Sequence, residues 1–430
     1  HILILFDNMN DPQSSNLRRT LVMTMLVAAG ECVFLLPFVV ARIFRPTFLD
    51  VFQLSNFELG SAFSLYGVVA IAAYFFGGPL ADRFSARKLM AVALLTTSVG
   101  GIVMSSVPSL TILTILYGFW GLTTILLFWA ALIKATRQWG YPDFQGRAFG
   151  ILDGGRGLFA ALLSSISVVI FAALLPADVE SASLAERTAA LSQIIWIFSI
   201  MAAVVGILIW FVIPDNDLSG TDKATRINLK DVFQVLKMPQ IWLQAVIVIC
   251  AYMGYKLTDY FSLYPKDAFG YDEVEAAQMG TISFWVRPFA ALGAGLLADR
   301  IGSASKVTIW SFVIMMFGCL IVAFDLVAPD IWVILALTVA VTSLGVYALR
   351  GVYFALFEEG KVPLHVTGSA VGIVSVLGYT PDVFSGPLMG YLVDRSPGIL
   401  GHQHLFGMVA GFALVGIIAS LLFRKVTSPN

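Results

Sequence analysis

Eight ionisable residues interrupt long apolar runs of this sequence. They are Glu31 in AAGECVF, Asp153 and Arg156 in LDGGRG, Lys256 and Asp259 in YKLTD, Arg287 in WVRPF, Arg350 in ALRGV and Asp382 in TPDVF. Arginine offers a planar fork of donors matched to carboxylate or phosphate, and lysine a compact point charge. A carboxyl group removed from water is pushed towards neutrality, and so towards carrying a proton near neutral pH. The chemistry on offer is the holding of an anion by Arg156, Lys256, Arg287 and Arg350, with Arg42 nearby. Glu31, Asp153, Asp259 and Asp382 are the candidates for proton coupling or charge balance. The competing reading is structural: Asp153/Arg156 and Lys256/Asp259 are both i, i+3 pairs, able to neutralise themselves on one helix. Arg287 has no acid within a turn, and Pro288 frees a backbone group best tolerated beside a cavity.

The elements that must position these groups are membrane helices. Of 430 residues, 58% are hydrophobic and only 12% charged, about half the charge of a soluble domain; mean hydropathy is +0.87. A bilayer core needs roughly 20 apolar residues per helix. Twelve stretches qualify, at 19–43, 57–81, 88–107, 111–137, 147–174, 191–213, 240–265, 274–298, 306–327, 331–357, 367–393 and 403–423. These are spans 1 to 12 of an all-α integral membrane protein. The polar stretch 214–239 joins two groups of six, and its LKDVFQVLK reads as a short amphipathic helix at the membrane surface. The predicted organisation is a tail over 1–17, a six-helix bundle over 18–213, the linker 214–239, a second bundle over 240–425 and a tail over 426–430.

Lys and Arg in the loops set the orientation. With both termini inside, 17 fall on the cytoplasmic side and 5 outside. HILILFDN has too short an apolar core for a cleavable signal. The chain carries no Asn-x-Ser/Thr sequon and no long outer loop, which favours a bacterial inner membrane. A net charge of −1 argues against nucleic acid as a partner. Cys32, Cys250 and Cys319 lie in apolar runs without metal-ligand spacing and read as small core residues. No cofactor, metal site or nucleophile–base motif is expected. The partners are a small-molecule solute, lipid and protons, and the chain reads as a monomer. FEEGKVPLH (357–365) reads as a solvated turn, and His402 and His404 form a His-x-His without a ligand partner nearby in sequence.

GGPLADRFSARK (77–88) and GAGLLADRIGSASK (293–306) repeat one pattern 217 residues apart, after spans 2 and 8. One such turn is a charged stop after a helix; two at matching places mark two six-helix halves. Pseudo-symmetric halves with a site at the midplane between them are a transporter design. The first copy resembles the signature between helices 2 and 3 of the major facilitator superfamily, with Gly78, Asp82, Arg83, Arg87 and Lys88 in place and Ser85 where glycine is usual. The second copy keeps Gly295, Asp299 and Arg300. The resemblance implies two pseudo-symmetric six-helix bundles of that fold, with the two turns as conformational latches of the outward-open state. It also implies that spans 3, 6, 9 and 12 face lipid. The eight midmembrane charges fall on other spans.

GRAFGILDGGRGLFAA, AYMGYKLTDYFSLYPKD and GSAVGIVSVLGYTPDVFSGPLMGYLVD further resemble helices 5, 7 and 11 of the organophosphate:phosphate antiporter branch, which includes the glycerol-3-phosphate transporter, and of related uncharacterised bacterial sugar or organic-acid transporters. That resemblance implies basic residues on spans 1 and 7 around an anion, with help from span 5. The span-5 position is Arg156 and the span-7 position falls at or beside Lys256. The span-1 position falls on Val39, with Arg42 the nearest base. Arg42 alternatively snorkels to the outer interface. The expected activity is secondary active transport of a phosphate ester, sulfonate or carboxylate by alternating access, coupled to protons or exchange. The alternative is proton-coupled transport or export of neutral or amphipathic molecules.

Overall fold

Apolar runs this long leave the backbone no solvent partner in lipid, so each closes its hydrogen bonds within a helix. The computed structural model describes residues 12–140, 145–215, 229–327, 332–363 and 366–427. Among these residues eleven helices are long and apolar enough to cross a membrane: α1 Asn16–Ile43, α2 Asn56–Arg83, α3 Ala86–Ser105, α4 Leu110–Trp139, α5 Ala148–Leu174, α6 Leu184–Val212, α7 Pro239–Tyr260, α8 Glu273–Ile301, α9 Ala304–Ala323, α10 Trp332–Val352 and α12 Ile399–Thr427. The twelfth, α11, is present in two pieces, Thr367–Gly378 and Pro381–Arg395. Proline has no N–H and its ring clashes with the preceding turn, so Pro381 begins a new helix instead of continuing the old one. In α1, Pro37 lies in a widened turn over Leu35–Val39, the usual accommodation of a missing hydrogen bond.

The amphipathic helix expected in the linker forms over Leu229–Leu236, with Val235 buried and Phe233 exposed. Residues 216–228 lie outside the described part. Exposed apolar side chains recur at helical spacing on α3 (Val92, Leu95, Val99, Val103), α6 (Trp196, Ile200, Val204, Ile207, Phe211) and α12 (Leu414, Ile418, Leu421). Such stripes suit a lipid-facing surface.

The first six helices meet the last six chiefly where α2 packs on the second piece of α11 and α5 packs on α8. Along one end of the α2–α11 contact, a Cβ on Gly60 would stand 2.2 Å from the Gly386 carbonyl carbon, and one on Gly67 2.5 Å from that of Asp382. Backbones this close require residues without side chains. Asp394 closes the same end by accepting hydrogen bonds from the N–H groups of Asn56 (3.2 Å) and Phe57 (2.7 Å) at the start of α2. Nearby, Arg187 of α6 pairs with Glu273 of α8 at 3.2 Å. The two halves are thus sealed to each other at this end.

The repeated turns lie at the opposite end. Asp82, Arg83, Asp299 and Arg300 are exposed, and among the described residues none of their side chains makes a hydrogen bond or ion pair. Gly78 and Gly295 have open space around them. Lys134 of α4 donates to the Ala81 carbonyl at 2.7 Å. Arg87 pairs with Asp215, just beyond α6, and Lys88 lies 3.7 Å from the same carboxylate. The Ser85 hydroxyl, with Arg87 and Lys88, holds the Asp215 carboxyl below its usual range. A depressed folded-state pKa stabilises above the unfolded value and is lost as pH falls through the folded one. The difference in thermal stability between wild type and Asp215→Asn is therefore expected to be small and constant above about pH 5. It should vanish on acidification below 3.8, as differential scanning fluorimetry at stepped pH would show.

Two surface readings are corrected. Glu359 is not simply solvated: it accepts from the Ser305 N–H at 2.8 Å and bonds the hydroxyls of Ser303 and Ser305, tying the end of α10 to the start of α9. His402 is fully buried and meets Asp267 at 2.9 Å, a carboxylate that only tertiary folding brings near.

Candidate functional site

A cavity of about 130 Å³ between the halves is lined by Glu31, Arg42, Arg156, Lys256, Arg287, Arg350 and Asp382, together with Phe34, Phe38, Tyr66, Tyr74, Trp129, Tyr252, Tyr255 and Tyr379. All five basic residues singled out in the sequence face this one space, from α1, α5, α7, α8 and α10. Of the four acids, Glu31 and Asp382 line it. Asp259 lies behind Arg42, and Asp153 stands near Arg156 with its side chain 74% exposed.

Glu31 is shared between two cations. Its carboxylate lies 3.6 Å from Arg156 Nε and 3.4 Å from Arg287 Nη1, so one acid on α1 ties α5 of its own half to α8 of the other. Arg156 also donates from Nε to the Gly30 carbonyl at 3.0 Å. A Cβ on Gly30 would stand 2.8 Å from Arg156 Cδ, so a glycine there lets the arginine lie along α1. The rings of Trp129 and Phe34 flank its guanidinium at 5.6 and 5.8 Å. Within DGGRG, Gly155 meets Val27 and Gly157 meets Pro288, the close helix packing expected of them.

Of the two i, i+3 pairs of the competing structural reading, Asp153–Arg156 forms, whereas Lys256 and Asp259 each pair with another helix. Lys256 reaches Asp382 at 2.9 Å, and Tyr252 donates to the same carboxylate at 3.0 Å. Asp259 instead takes Arg42, at 2.6 Å with both side chains buried. Arg42 therefore does not snorkel outwards. Its Nη1 donates to the Tyr255 hydroxyl at 3.2 Å, and its carbonyl accepts from Ser262 at 2.8 Å. An aspartate side chain is too short to follow its own helix to a lysine one turn away when a cation on a facing helix is nearer. Asp153 and Arg156 do approach, at 3.5 Å, but the main partner of Arg156 is the buried Glu31. Arg42 and Asp259 are 217 positions apart, the offset of the repeat, so the pair joins equivalent points on the first helix of each half.

Arg350 differs from the other four. Its guanidinium stacks over the Tyr255 ring at 4.1 Å and stands 5.7 Å from Tyr252. Its buried Nη1 has no hydrogen-bond partner among the described residues. The tyrosines are the component that charge-based reading of the sequence missed. Tyr252 contacts Tyr379 at 5.0 Å between centroids, and Tyr379 stacks on Tyr74 at 6.3 Å. Their signal was present: a hydroxyl in the middle of an apolar helix needs a polar partner, and Tyr252 and Tyr255 lie one turn apart on the face that carries Lys256.

Twelve helical spans around a central polar cavity are the build of a membrane carrier. The model of the Major Facilitator Superfamily matches residues 21–379, and the chain belongs to that superfamily: it is a multi-pass secondary transporter of small molecules, not an enzyme. It is 28% identical over 428 residues to the inner membrane protein YqcE of Escherichia coli (strain K12), covering 97% of this chain and 98% of that protein. It is 23% identical over 393 residues to the hexuronate transporter of Bacillus subtilis (strain 168), covering 87% of this chain and 88% of that one. The crystal structure of the nucleoside transporter NupG superposes with a TM-score of 0.70 at 15% identity, over 96% of this chain and 100% of that chain. At that identity it speaks for the fold alone.

Proposed function

We propose that this protein moves a small organic anion across a bacterial inner membrane by alternating access, coupled to protons or by exchange. The bundles over 18–213 and 240–425 rock about the cavity, and both termini face the cytoplasm. The observation that carries this reading is the convergence of five basic side chains from five helices on one aromatic-walled space. Ionised groups at membrane depth are costly and mark solute or ion pathways. The printed names of two relatives, an inner membrane protein and a hexuronate transporter, agree with the location and with an anionic solute. The resemblance to the organophosphate branch rests on the positions of Arg156 and Lys256. Glu31 is the proposed coupling group: protonating it frees Arg156 and Arg287 together for the solute. The sealed outer end and unengaged inner turns correspond to a state closed outside, in which the Asp82 and Asp299 turns are latches at rest.

The test is uptake or exchange in proteoliposomes. Arg156→Ala and Lys256→Ala are each expected to lower anion uptake at least tenfold while the protein still elutes as a folded species. Wild-type uptake by the double variant would sink the reading. A second reading, proton-coupled movement of neutral or amphipathic solutes, draws on the carboxylate held by four of the five cations. Uptake of an uncharged solute, lost in Glu31→Gln but retained in Lys256→Ala, would select it.

A further inference from the structure

Charge balance around the cavity narrows the class of anion. Five cations face it: Arg42, Arg156, Lys256, Arg287 and Arg350. Four carboxylates lie within ion-pair distance of them: Asp259 on Arg42, Glu31 between Arg156 and Arg287, Asp153 on Arg156 and Asp382 on Lys256. By formal charge one positive remains, and it resides on Arg350, which has no acid partner among the described residues. We propose, resting on the anion reading above, that Arg350 anchors the substrate and that the substrate is a hydroxylated monocarboxylate.

Three observations support this. First, an uncompensated charge in a site of low polarity is strongly unfavourable, so while Glu31 is ionised a solute carrying a single negative charge completes the balance. A phosphate monoester carries about −1.5 to −2 at neutral pH and would leave excess negative charge. Second, the rings of Tyr255 and Tyr252 lie against the guanidinium, its buried Nη1 has no hydrogen-bond partner among the described residues, and the residue lines the cavity, so its edge is the group left for a ligand. A guanidinium edge pairs bidentately with a planar carboxylate. Third, the surrounding tyrosines supply ring faces for C–H groups and hydroxyls for alcohols. The cavity of about 130 Å³ is comparable with the ~150 Å³ that holds benzene, which suits a short polyhydroxy acid.

The experiment is a thermal-shift titration of the purified full chain at neutral pH with two matched sets of probes. One is glycerol, glycerate and glycerol 3-phosphate; the other is glucose, gluconate and glucose 6-phosphate. Isethionate serves as a monoanion with a non-planar head. The expected result is that the carboxylate of at least one set binds at least tenfold more tightly than its phosphate, its neutral parent or isethionate. Arg350→Gln is expected to lose that preference and Arg350→Lys to keep part of it. Phosphate binding more tightly than carboxylate, isethionate matching the carboxylates, no binding by either carboxylate, or undiminished carboxylate binding by Arg350→Gln would each overturn the proposal. If Arg350→Gln does not fold, the wild-type ranking still decides. A neutral parent binding as tightly as its acid would instead bring down the anion reading itself.

Discussion

Gly60→Val is expected to reduce transport to background while leaving the protein folded and its outer face open. A Cβ at position 60 would lie 2.2 Å from the Gly386 carbonyl carbon and oxygen, and 2.8 Å from Pro387 N. The obstacles are backbone atoms of another helix, which cannot swing aside as a long side chain can. Overpacking of this kind costs about 3 kcal/mol at the upper end of its usual range. The cost falls only on the state in which α2 and the second piece of α11 are in contact, because separated helices have no clash. By population-shift arithmetic this moves the closed-outside to open-outside ratio by roughly 150-fold. Ser385, fully buried beside Gly386, offers a reporter: Ser385→Cys should react with a membrane-impermeant maleimide much faster when combined with Gly60→Val. The three native cysteines are buried and give little background. Gly411→Ala, whose Cβ would meet nothing within 4 Å, is the matched control and should transport normally. Wild-type transport by Gly60→Val would show that the outer seam does not have to close this tightly.

The second large effect is on stability. Arg42 and Asp259 form a 2.6 Å pair with side-chain exposures of 4% and 7%, held further by the Tyr255 hydroxyl and by the ring at 4.7 Å from the guanidinium. Removing one member of a buried pair leaves the other charge desolvated and unpaired, a loss of about 3–5 kcal/mol. Asp259→Asn is thus expected to lower thermal stability sharply in detergent, followed by intrinsic tryptophan fluorescence. Replacing both members by apolar residues of similar size should recover most of the loss, because neither charge then remains to be hydrated. Because the pair lies at pseudo-equivalent positions, both single variants should weaken the contact between the halves. Unchanged stability of Asp259→Asn would mean that water reaches Arg42 and that the outer end is less closed than its contacts require.

Much of this molecule was written in local sequence. Apolar run length determined the number of helices, since lipid leaves no other way to satisfy a backbone. The Ala-Asp-Arg repeat announced two halves, with an offset of 217 that also pairs Arg42 with Asp259. Most of the residues that face the centre were legible too, because an ionised side chain in a membrane helix has few other places to go; Asp153 and Asp259 are the exceptions, since neither lines the cavity.

What the sequence left open was partnership. Nothing local told Lys256 to take Asp382 over Asp259, or placed Glu31 between Arg156 and Arg287. Those choices depend on which helices face each other and on the short reach of carboxylate side chains, and both are settled only when the bundle closes. The isolation of Arg350 emerged the same way. It becomes the spare cation only because the acids on α1, α7 and α11 are already engaged elsewhere. Single residue types and their spacing determined the charges this protein carries into the membrane, and three-dimensional packing decided which of them are cancelled.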